Sequence, residues 1–248
     1  METSPENRVL IIADAHVPLD GRPGADAELA RMTQLIERYR DTLGMLVLLG
    51  DTFDFWFEWV HVVPKRAFPF LSLLHDLTRS GIPVHIFAGN HDFKLGRFLR
   101  KYVGAETHLD EWVVTLDGRR YYFHHGDGFA ESDRNYRRMK AVFRNRVVQR
   151  LFGSVVHPDL AMQIGKWASA LGGDKNHTDE GELPVRKEYR STARAILRNG
   201  HDVVVIGHIH QMFLEDIDGG FFFNPGPYME ESRYGLIEGG LPRSEVDE

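Results

Sequence analysis

Five apolar segments of strand length each lead directly into an aspartate, asparagine or histidine, and this pattern constrains the fold more than any other feature of the chain. The segments are VLIIA before Asp14, LVLLG before Asp51, VHIFAG before Asn90, YYFH before His125 and VVVIG before His208. In open α/β sheets, ligands bind beyond the carboxyl ends of the strands. We therefore expect these strand ends to converge and to bring their polar side chains together.

The polar residues at these strand ends have the chemistry of metal ligands. His16 and His210 lie two residues beyond Asp14 and His208, and alternate residues of an extended segment share one side. Carboxylates and neutral imidazoles suit Mn, Fe, Zn or Mg, whereas the absence of cysteine excludes thiolate sites and disulfides. Each motif alone is commonly a turn or a helix cap, but together they predict a divalent-metal site. The candidate ligands are Asp14, His16, Asp51, Asn90, His125, His208 and His210.

Elsewhere, strand-length apolar runs alternate with stretches of helical periodicity, which predicts an α/β layered fold. Helices are expected over residues 25–43 and 64–79, and β-hairpins around the Asp-Gly turns at 117–118 and 218–219. The expected strands span residues 9–13, 45–49, 82–88, 111–117, 119–124, 202–206, 212–216 and 220–223.

The chain is predicted to form one domain over residues 1–248, because its 248 residues are 42% apolar and can build a single core. Residues 133–199 have mostly helical patterns, interrupted by a glycine- and charge-rich break at 172–181. This segment predicts a helical lid inserted into the domain. Residues 238–248 are expected to form a loose tail.

Net charge and hydropathy limit the classes of binding partner and the cellular location that are expected for this chain. The formal net charge of −6 argues against a general nucleic-acid partner, since such proteins carry a basic excess. No stretch approaches the roughly 20 apolar residues that a membrane span needs. The polar N-terminus has no secretory signal pattern. We therefore expect a cytoplasmic protein.

The motifs resemble the signature of the calcineurin-like metallophosphoesterases. DAH, GDTFD, GNHD, HGD and GHIH occur in that family's order between Val9 and about Asn224. The resemblance implies a four-layer α/β/β/α sandwich with two divalent metal ions and Asp51 as the bridging ligand. The first ion would be held by Asp14, His16, Asp51 and His210. The second would be held by Asp51, Asn90, His125 and His208.

The same resemblance implies hydrolysis of a phosphate ester by a metal-activated water. It implies that His91 stabilises the transition state or protonates the leaving group and that Asp92 orients the ring of His91. Alternatively, His91 only orients Asn90. Asp54 and Asp127 are expected to support the ligands. The other histidines are predicted to be surface or packing residues: His61, His75, His85, His108, His124, His157, His177 and His201.

Two features point to a substrate larger than a simple monoester. An aromatic cluster, Phe53, Phe55, Trp56, Phe57 and Trp59, follows Asp51, and these rings either contact substrate or belong to the core or lid. Residues 134–150 have helical spacing and carry seven basic but no acidic residues, which predicts either a surface for phosphates or anionic lipid, or a solvated face.

GDTFDFW, the stretch after HGD and the helical insertion resemble the bacterial UDP-2,3-diacylglucosamine hydrolases of lipid A synthesis. The resemblance implies cleavage of a pyrophosphate to UMP and a diacylglucosamine 1-phosphate, with Mn²⁺ as the usual metal and peripheral association with the inner membrane. It also implies substrate contacts from Asn90, Tyr136 and basic lid residues, for which Arg137 and Arg144 are the candidates.

One departure keeps other substrates open. That branch usually has arginine where this chain has His91, and its first motif is usually DLHL rather than DAHVP. A histidine suits protonation of an alkoxide leaving group, so a nucleotide, a phosphoprotein or a soluble phosphomonoester is the alternative substrate. A scaffold that has lost its metals is the third alternative, but all the candidate ligands are present.

Overall fold

The computed structural model describes residues 8–129, 142, 144–163 and 184–247. The strands are β1 (Arg8–Ile12), β2 (Leu43–Leu48), β3 (Trp56–Phe57), β4 (Val84–Phe87), β5 (Asp92–Lys94), β6 (Glu106–His108), β7 (Trp112–Leu116), β8 (Arg119–His124), β9 (Val203–Ile206), β10 (Phe213–Ile217), β11 (Gly220–Asn224), β12 (Arg233–Glu238) and β13 (Leu241–Val246). The helices are α1 (Ala25–Tyr39), α2 (Phe68–Arg79), α3 (Arg146–Val155), α4 (Pro184–Arg198) and α5 (Tyr228–Glu231).

Two sheets carry the fold. The first has the strand order β13-β12-β1-β2-β4-β6 and the second has the order β10-β11-β9-β8-β7. Strands β1, β2, β4 and β6 run parallel to one another, as β8, β9 and β11 do. The parallel strands of each sheet therefore end at a common edge, which is the arrangement the sequence motifs require.

The alternation of side chains along the buried strands creates a four-layer sandwich. Val47 and Phe87 of the first sheet pack against Phe123 and Val205 of the second, and this cluster forms the layer between the sheets. The opposite face of the first sheet packs on α1 and α2, and that of the second sheet packs on α4. The predicted α/β/β/α sandwich is confirmed, as are both hairpins over their Asp-Gly turns.

The C-terminal segment is not the loose tail that the sequence suggested. Strand β13 pairs antiparallel with β12 and forms an edge of the first sheet. Its sequence, LPRSEV, lacks an apolar run, because an edge strand needs only its backbone to pair with one neighbour. Asp247 follows this strand and is 8% exposed.

Asp247→Ala is expected to lower the free energy of unfolding by about 1–3 kcal/mol, because it leaves the Tyr228 hydroxyl buried without its acceptor. Tyr228 donates to Asp247 at 2.9 Å, and Arg38 donates to the same carboxylate at 2.8 Å. Urea unfolding followed by circular dichroism measures the change. Glu245→Ala is the control, since the side chain of Glu245 is 42% exposed and pairs with Arg243 at 2.7 Å. Equal stabilities for the two variants would contradict this expectation.

The insertion differs in part from the predicted helix over residues 134–150. Arg144 and Asn145 are not helical, and α3 begins at Arg146. The break arises because the Asn145 side chain caps α3 by accepting hydrogen bonds from the backbone N–H groups of Val147 and Val148. Residues 130–141, 143 and 164–183, which include part of the predicted lid, lie outside the described residues.

The described part of the insertion covers the aromatic segment that follows Asp51. Phe57 and Trp59 are buried in a cluster with Ala161, and Phe152 of α3 packs against them. Phe53 stacks on the fully buried Trp56 at a centroid distance of 5.0 Å. The aromatic rings are therefore core and lid contacts, which was one of the two interpretations of the sequence. Among the helices of the described ranges, none has the length and apolarity to cross a membrane.

Candidate metal centre

The predicted ligands follow strand ends of both sheets and meet at one place. Asp14, Asp51 and Asn90 follow β1, β2 and β4 of the first sheet, while His125 and His208 follow β8 and β9 of the second. Three groups have potential ligand atoms that all lie within 4.8 Å of one another. They are Asp14, His16 and His210; His16, Asp51 and His91; and Asp51, His125 and His208.

Asp51 stands between the two sets of histidines. Its Oδ2 atom lies 3.8 Å from His16 Nε2 and 3.4 Å from His125 Nε2. Asn90 Oδ1 lies 3.4 Å from the same nitrogen of His125. These separations are close to those between two atoms that coordinate one ion at about 2.0–2.2 Å. The geometry therefore suits Asp51 as a ligand shared by two ions.

Five of the candidate ligands have a backbone that L-amino acids rarely adopt. Positive φ angles occur at Asp14 (50°), His16 (40°), Asp51 (47°), His208 (69°) and His210 (47°). Such conformations cost on the order of 1–3 kcal/mol each and concentrate at functional sites. Hydrogen bonds between the loops offset this cost, because the backbone N–H of His16 donates to the carbonyl of Asp51 at 2.8 Å. The fold thus holds these side chains in position at the expense of local strain.

Two glycines leave room for the ligands. A Cβ atom on Gly89 would lie 2.0 Å from Asp51 Oδ1, and one on Gly50 would lie 2.3 Å from His125 Nδ1. Gly50 also has a φ of 97°. Only glycine fits at these two positions, which explains why the motifs read GD and GN.

The electrostatics of the site fit divalent cations. Asp14, Asp51 and His125 are at most 1% exposed, and two buried carboxylates need compensating positive charge. Burial lowers the pKa of His16 and His208 to about 3, so both imidazoles are neutral near pH 7 and can act as ligands. His16 Nε2 is buried and has no hydrogen-bond partner within the described part of the chain. A metal ion would satisfy that nitrogen.

Asp51 remains a carboxylate in this environment. Burial acts to raise its pKa, but the neighbouring His125, His91 and His16 outweigh that effect and hold the pKa well below the usual value. Its second oxygen, Oδ1, accepts a hydrogen bond of 2.8 Å from the backbone N–H of His91. One oxygen is thus fixed by the backbone while the other faces the histidines.

His91 points its ring toward the candidate ligands. Nδ1 lies 2.8 Å from the backbone carbonyl of Asp54, which fixes this nitrogen as the proton donor. The ring meets that of His16 edge to face at a centroid distance of 4.6 Å. Nε2 is therefore the nitrogen that can exchange a proton with a bound molecule.

Asp92, which was predicted to orient the ring of His91, and Asp54, which was predicted to support the ligands, have separate contacts. Asp92 Oδ2 accepts a hydrogen bond of 3.2 Å from the backbone N–H of Gly89. Burial and the nearby Asp51 raise the pKa of Asp92 to about 7. Asp54 accepts from Arg22 at 3.3 Å, and its pKa rises to about 6 because of burial. Asp92 thus braces the loop that carries Asn90, while the carbonyl of Asp54 holds the ring of His91.

The predicted substrate contacts in the insertion are only partly within the described residues. Tyr136 and Arg137 lie outside them. Arg144 is described, and it donates to Asp110 at 2.7 Å. Its assignment as a substrate contact stays a prediction.

Glu230 is a site residue that the sequence pattern did not reveal. Its Oε1 lies 3.1 Å from Nδ1 of His210, whose Nε2 faces Asp14 at 3.8 Å. A carboxylate behind a ligand histidine fixes the tautomer and orients the ring. Glu230 lies on α5, which follows PGP rather than an apolar strand, so the strand-end pattern could not identify it.

Glu230→Ala is expected to weaken metal affinity roughly 10–100-fold, because His210 loses the acceptor that orients it. Titration of the metal-free protein with Mn²⁺ measures the change. Glu231→Ala is the matched control, since the neighbouring Glu231 pairs with Arg233 at 2.7 Å. An affinity equal to that of the control would remove Glu230 from the site.

The chain belongs to the calcineurin-like phosphoesterase family, whose model matches residues 7–212. The family match and the groups of aspartate and histidine that could hold metal ions indicate a metal-dependent hydrolase.

Proteins named UDP-2,3-diacylglucosamine hydrolase are among the relatives of the chain. The one from Porphyromonas gingivalis is 35% identical over 155 residues, which are 61% of this chain and 58% of that protein. The one from Vibrio cholerae El Tor is 27% identical over 84% of this chain and 83% of that protein. A solved structure described as a novel archaeal phosphodiesterase covers 96% of this chain and 99% of its own, at 15% identity and a TM-score of 0.49.

Proposed function

We propose that the chain is a dinuclear-metal hydrolase that cleaves the pyrophosphate bond of UDP-2,3-diacylglucosamine, giving UMP and 2,3-diacylglucosamine 1-phosphate. The observation that carries the proposal is the convergence of the candidate ligands into groups that meet at Asp51. The relatives named for this substrate supply its identity. Among them are matches that span more than four fifths of both chains.

The arrangement supports one cation held by Asp14, His16 and His210, and another held by Asn90, His125 and His208. Asp51 would serve both. Oxygen and imidazole ligands together suit Mn, Fe, Zn or Mg, and the resemblance to the lipid hydrolases favours Mn²⁺ among them. When bound, two such ions lower the pKa of a water nucleophile and stabilise charge on the phosphoryl oxygens.

The protein's own residues contribute orientation and a proton. The carbonyl of Asp54 holds the Nδ1 proton of His91, so the imidazolium form can donate its Nε2 proton to the oxygen that leaves phosphorus and become the neutral Nδ1–H tautomer. Asp92 holds the loop that carries Asn90 by accepting a hydrogen bond from the backbone N–H of Gly89. The backbone N–H of His91 holds the carboxylate of Asp51. Since a terminal phosphate has a pKa of about 6, a pyrophosphate needs this proton less than an alkyl ester does.

A cavity beside the metal-site loops supports a substrate with an apolar part. It has a volume of about 450 Å³ and lies between the residues after His16 and the described part of the insertion. Its lining combines the apolar side chains Trp59, Val62, Val63 and Met162 with four charged side chains of both signs: Asp20, Lys65, Arg66 and Asp159. A concave and largely apolar cavity suits the apolar part of a lipid substrate.

Helix α3 supports peripheral contact with an anionic membrane, which is where a diacylated substrate resides. Val147, Leu151 and Val155 recur at helical spacing, and they are 61%, 61% and 79% exposed. Arg146 and Arg150 are exposed on the same helix. Basic and apolar side chains together on one exposed helix are typical of membrane-surface helices.

The proposal is tested by a product assay with Mn²⁺ and either UDP-2,3-diacylglucosamine or p-nitrophenyl phosphate. We expect release of UMP far faster than release of p-nitrophenol. Release of p-nitrophenol without release of UMP would overturn the proposed substrate but would be consistent with the two-metal mechanism. That second outcome is the one favoured by His91, which stands where the lipid hydrolases usually have arginine.

A further inference from the structure

A second group of metal-ligating side chains lies at the edge of the first sheet, among residues that the sequence pattern had left as surface or packing histidines. His85 belongs to β4, and Glu106 and His108 belong to β6. One ligand atom from each lies within 4.8 Å of the others. No residue of this group belongs to the three groups of the candidate metal centre.

The strand register places these side chains on one face. His85 is the register partner of Glu106, and Phe87 is the partner of His108. Glu106 and His108 are two residues apart on β6, so both point the same way as His85. Because the ligands come from two hydrogen-bonded strands, the backbone fixes their spacing before any ion binds.

The spacing suits a small divalent ion. His85 Nδ1 lies 3.0 Å from His108 Nε2 and 3.7 Å from Glu106 Oε2. Ligands about 2.0–2.2 Å from a tetrahedral ion are separated by roughly 3.3 Å, which lies between these two distances. The side chain of Glu106 is 69% exposed and can adjust without disturbing the core.

The rings are held in place by aromatic neighbours. His85 stacks on Trp112 of the second sheet at a centroid distance of 4.0 Å, and His108 stacks on Phe87 at 4.7 Å. His85 is only 4% exposed. Burial lowers the pKa of His85 to about 4 and also lowers that of His108, so both imidazoles are neutral. Their facing nitrogens share one hydrogen bond, and a shift of that proton to the other nitrogen of the donor ring would give a metal ion a lone pair from each ring.

We propose that His85, Glu106 and His108 form a separate binding site for a late first-row divalent ion such as Zn²⁺, distinct from the catalytic pair. Imidazole ligands favour Zn, Cu and Ni over Mg and Mn. Water would complete the coordination, because three protein ligands leave a tetrahedral ion one open position. The ion would join β4 to β6 beside Trp112, and binding to the native state alone would raise the melting temperature.

The test is a count of Zn²⁺ per chain by equilibrium dialysis and elemental analysis. We expect one ion fewer for His108→Gln than for the wild type. His157→Gln is the matched control, since that side chain is 74% exposed and lies outside the group. Hydrolysis with Mn²⁺ should be unchanged in His108→Gln. Equal Zn²⁺ counts for both variants and the wild type would overturn the proposal.

Two further measurements keep the test decisive if His108→Gln folds poorly. Glu106→Gln alters an exposed side chain and is expected to weaken the affinity of the proposed site for Zn²⁺ at least roughly 10-fold. Ni²⁺ should quench fluorescence from Trp112 at the stoichiometry of that ion, and Trp112→Phe should remove this quenching while the ion still binds. Unchanged Zn²⁺ affinity in Glu106→Gln, or quenching that survives in Trp112→Phe, would place the ion elsewhere.

Discussion

Asp51→Asn is expected to lower turnover by about 10⁴-fold and to reduce the metal content of the protein. The substitution keeps the shape of the side chain but removes its negative charge. Asp51 is 1% exposed, and its Oδ2 lies within 3.8 Å of histidines from both ligand groups. Loss of the proposed shared ligand would affect both cations, which would supply the nucleophile and stabilise the transition state.

Elemental analysis after dialysis against Mn²⁺ and steady-state kinetics measure the two effects. Asp216→Asn is the control, since Asp216 is an exposed residue of the hairpin formed by β10 and β11 and accepts a hydrogen bond from the backbone N–H of Gly219. Circular dichroism confirms that the fold is kept. Full activity and two ions per chain in Asp51→Asn would refute the shared-ligand assignment. Metal loss without a matching loss of turnover would refute the mechanism alone.

The core of the site could be predicted because each ligand follows a buried parallel strand. The run VLIIA before Asp14 and the run LVLLG before Asp51 are apolar throughout, since both faces of these strands are covered. Such runs reveal both the strand and the point where it ends. The parallel arrangement then places the polar residues that follow at a common edge.

The remaining elements have weaker signals for physical reasons. Strand β13 is an edge strand with polar side chains, so hydrophobicity does not mark it. Strand β6 is three residues long, and its polar sequence has no apolar run that would indicate a strand. Only its pairing with β4 places Glu106 and His108 beside His85. Glu230 acts on His210 across 20 residues of sequence, a contact that only the tertiary fold creates.

His91→Asn is expected to lower kcat by about 10²-fold for an alkyl ester while both metal ions are retained. Asparagine can still donate to the carbonyl of Asp54, which lies 2.8 Å from the His91 ring, but it cannot supply a proton to the leaving oxygen. For a pyrophosphate, whose leaving phosphate needs less protonation, the expected loss is smaller. The ratio of the two losses measures proton donation separately from positioning.

His91→Arg completes this comparison, because arginine supplies positive charge but cannot act as an acid near neutral pH. If the site is built for a diphosphate, this variant should retain most UMP release and lose hydrolysis of an alkyl phosphate, whose alkoxide leaving group needs a proton. The metal content of the variant is measured in parallel, because displacement of the neighbouring ligand Asn90 would lower activity through loss of metal. Equal losses for both substrates, together with two ions per chain, would limit His91 to holding the loop. A fall in metal content would instead show that His91 supports the ligands Asn90 and Asp51. The backbone N–H of His91 donates a hydrogen bond to Oδ1 of Asp51.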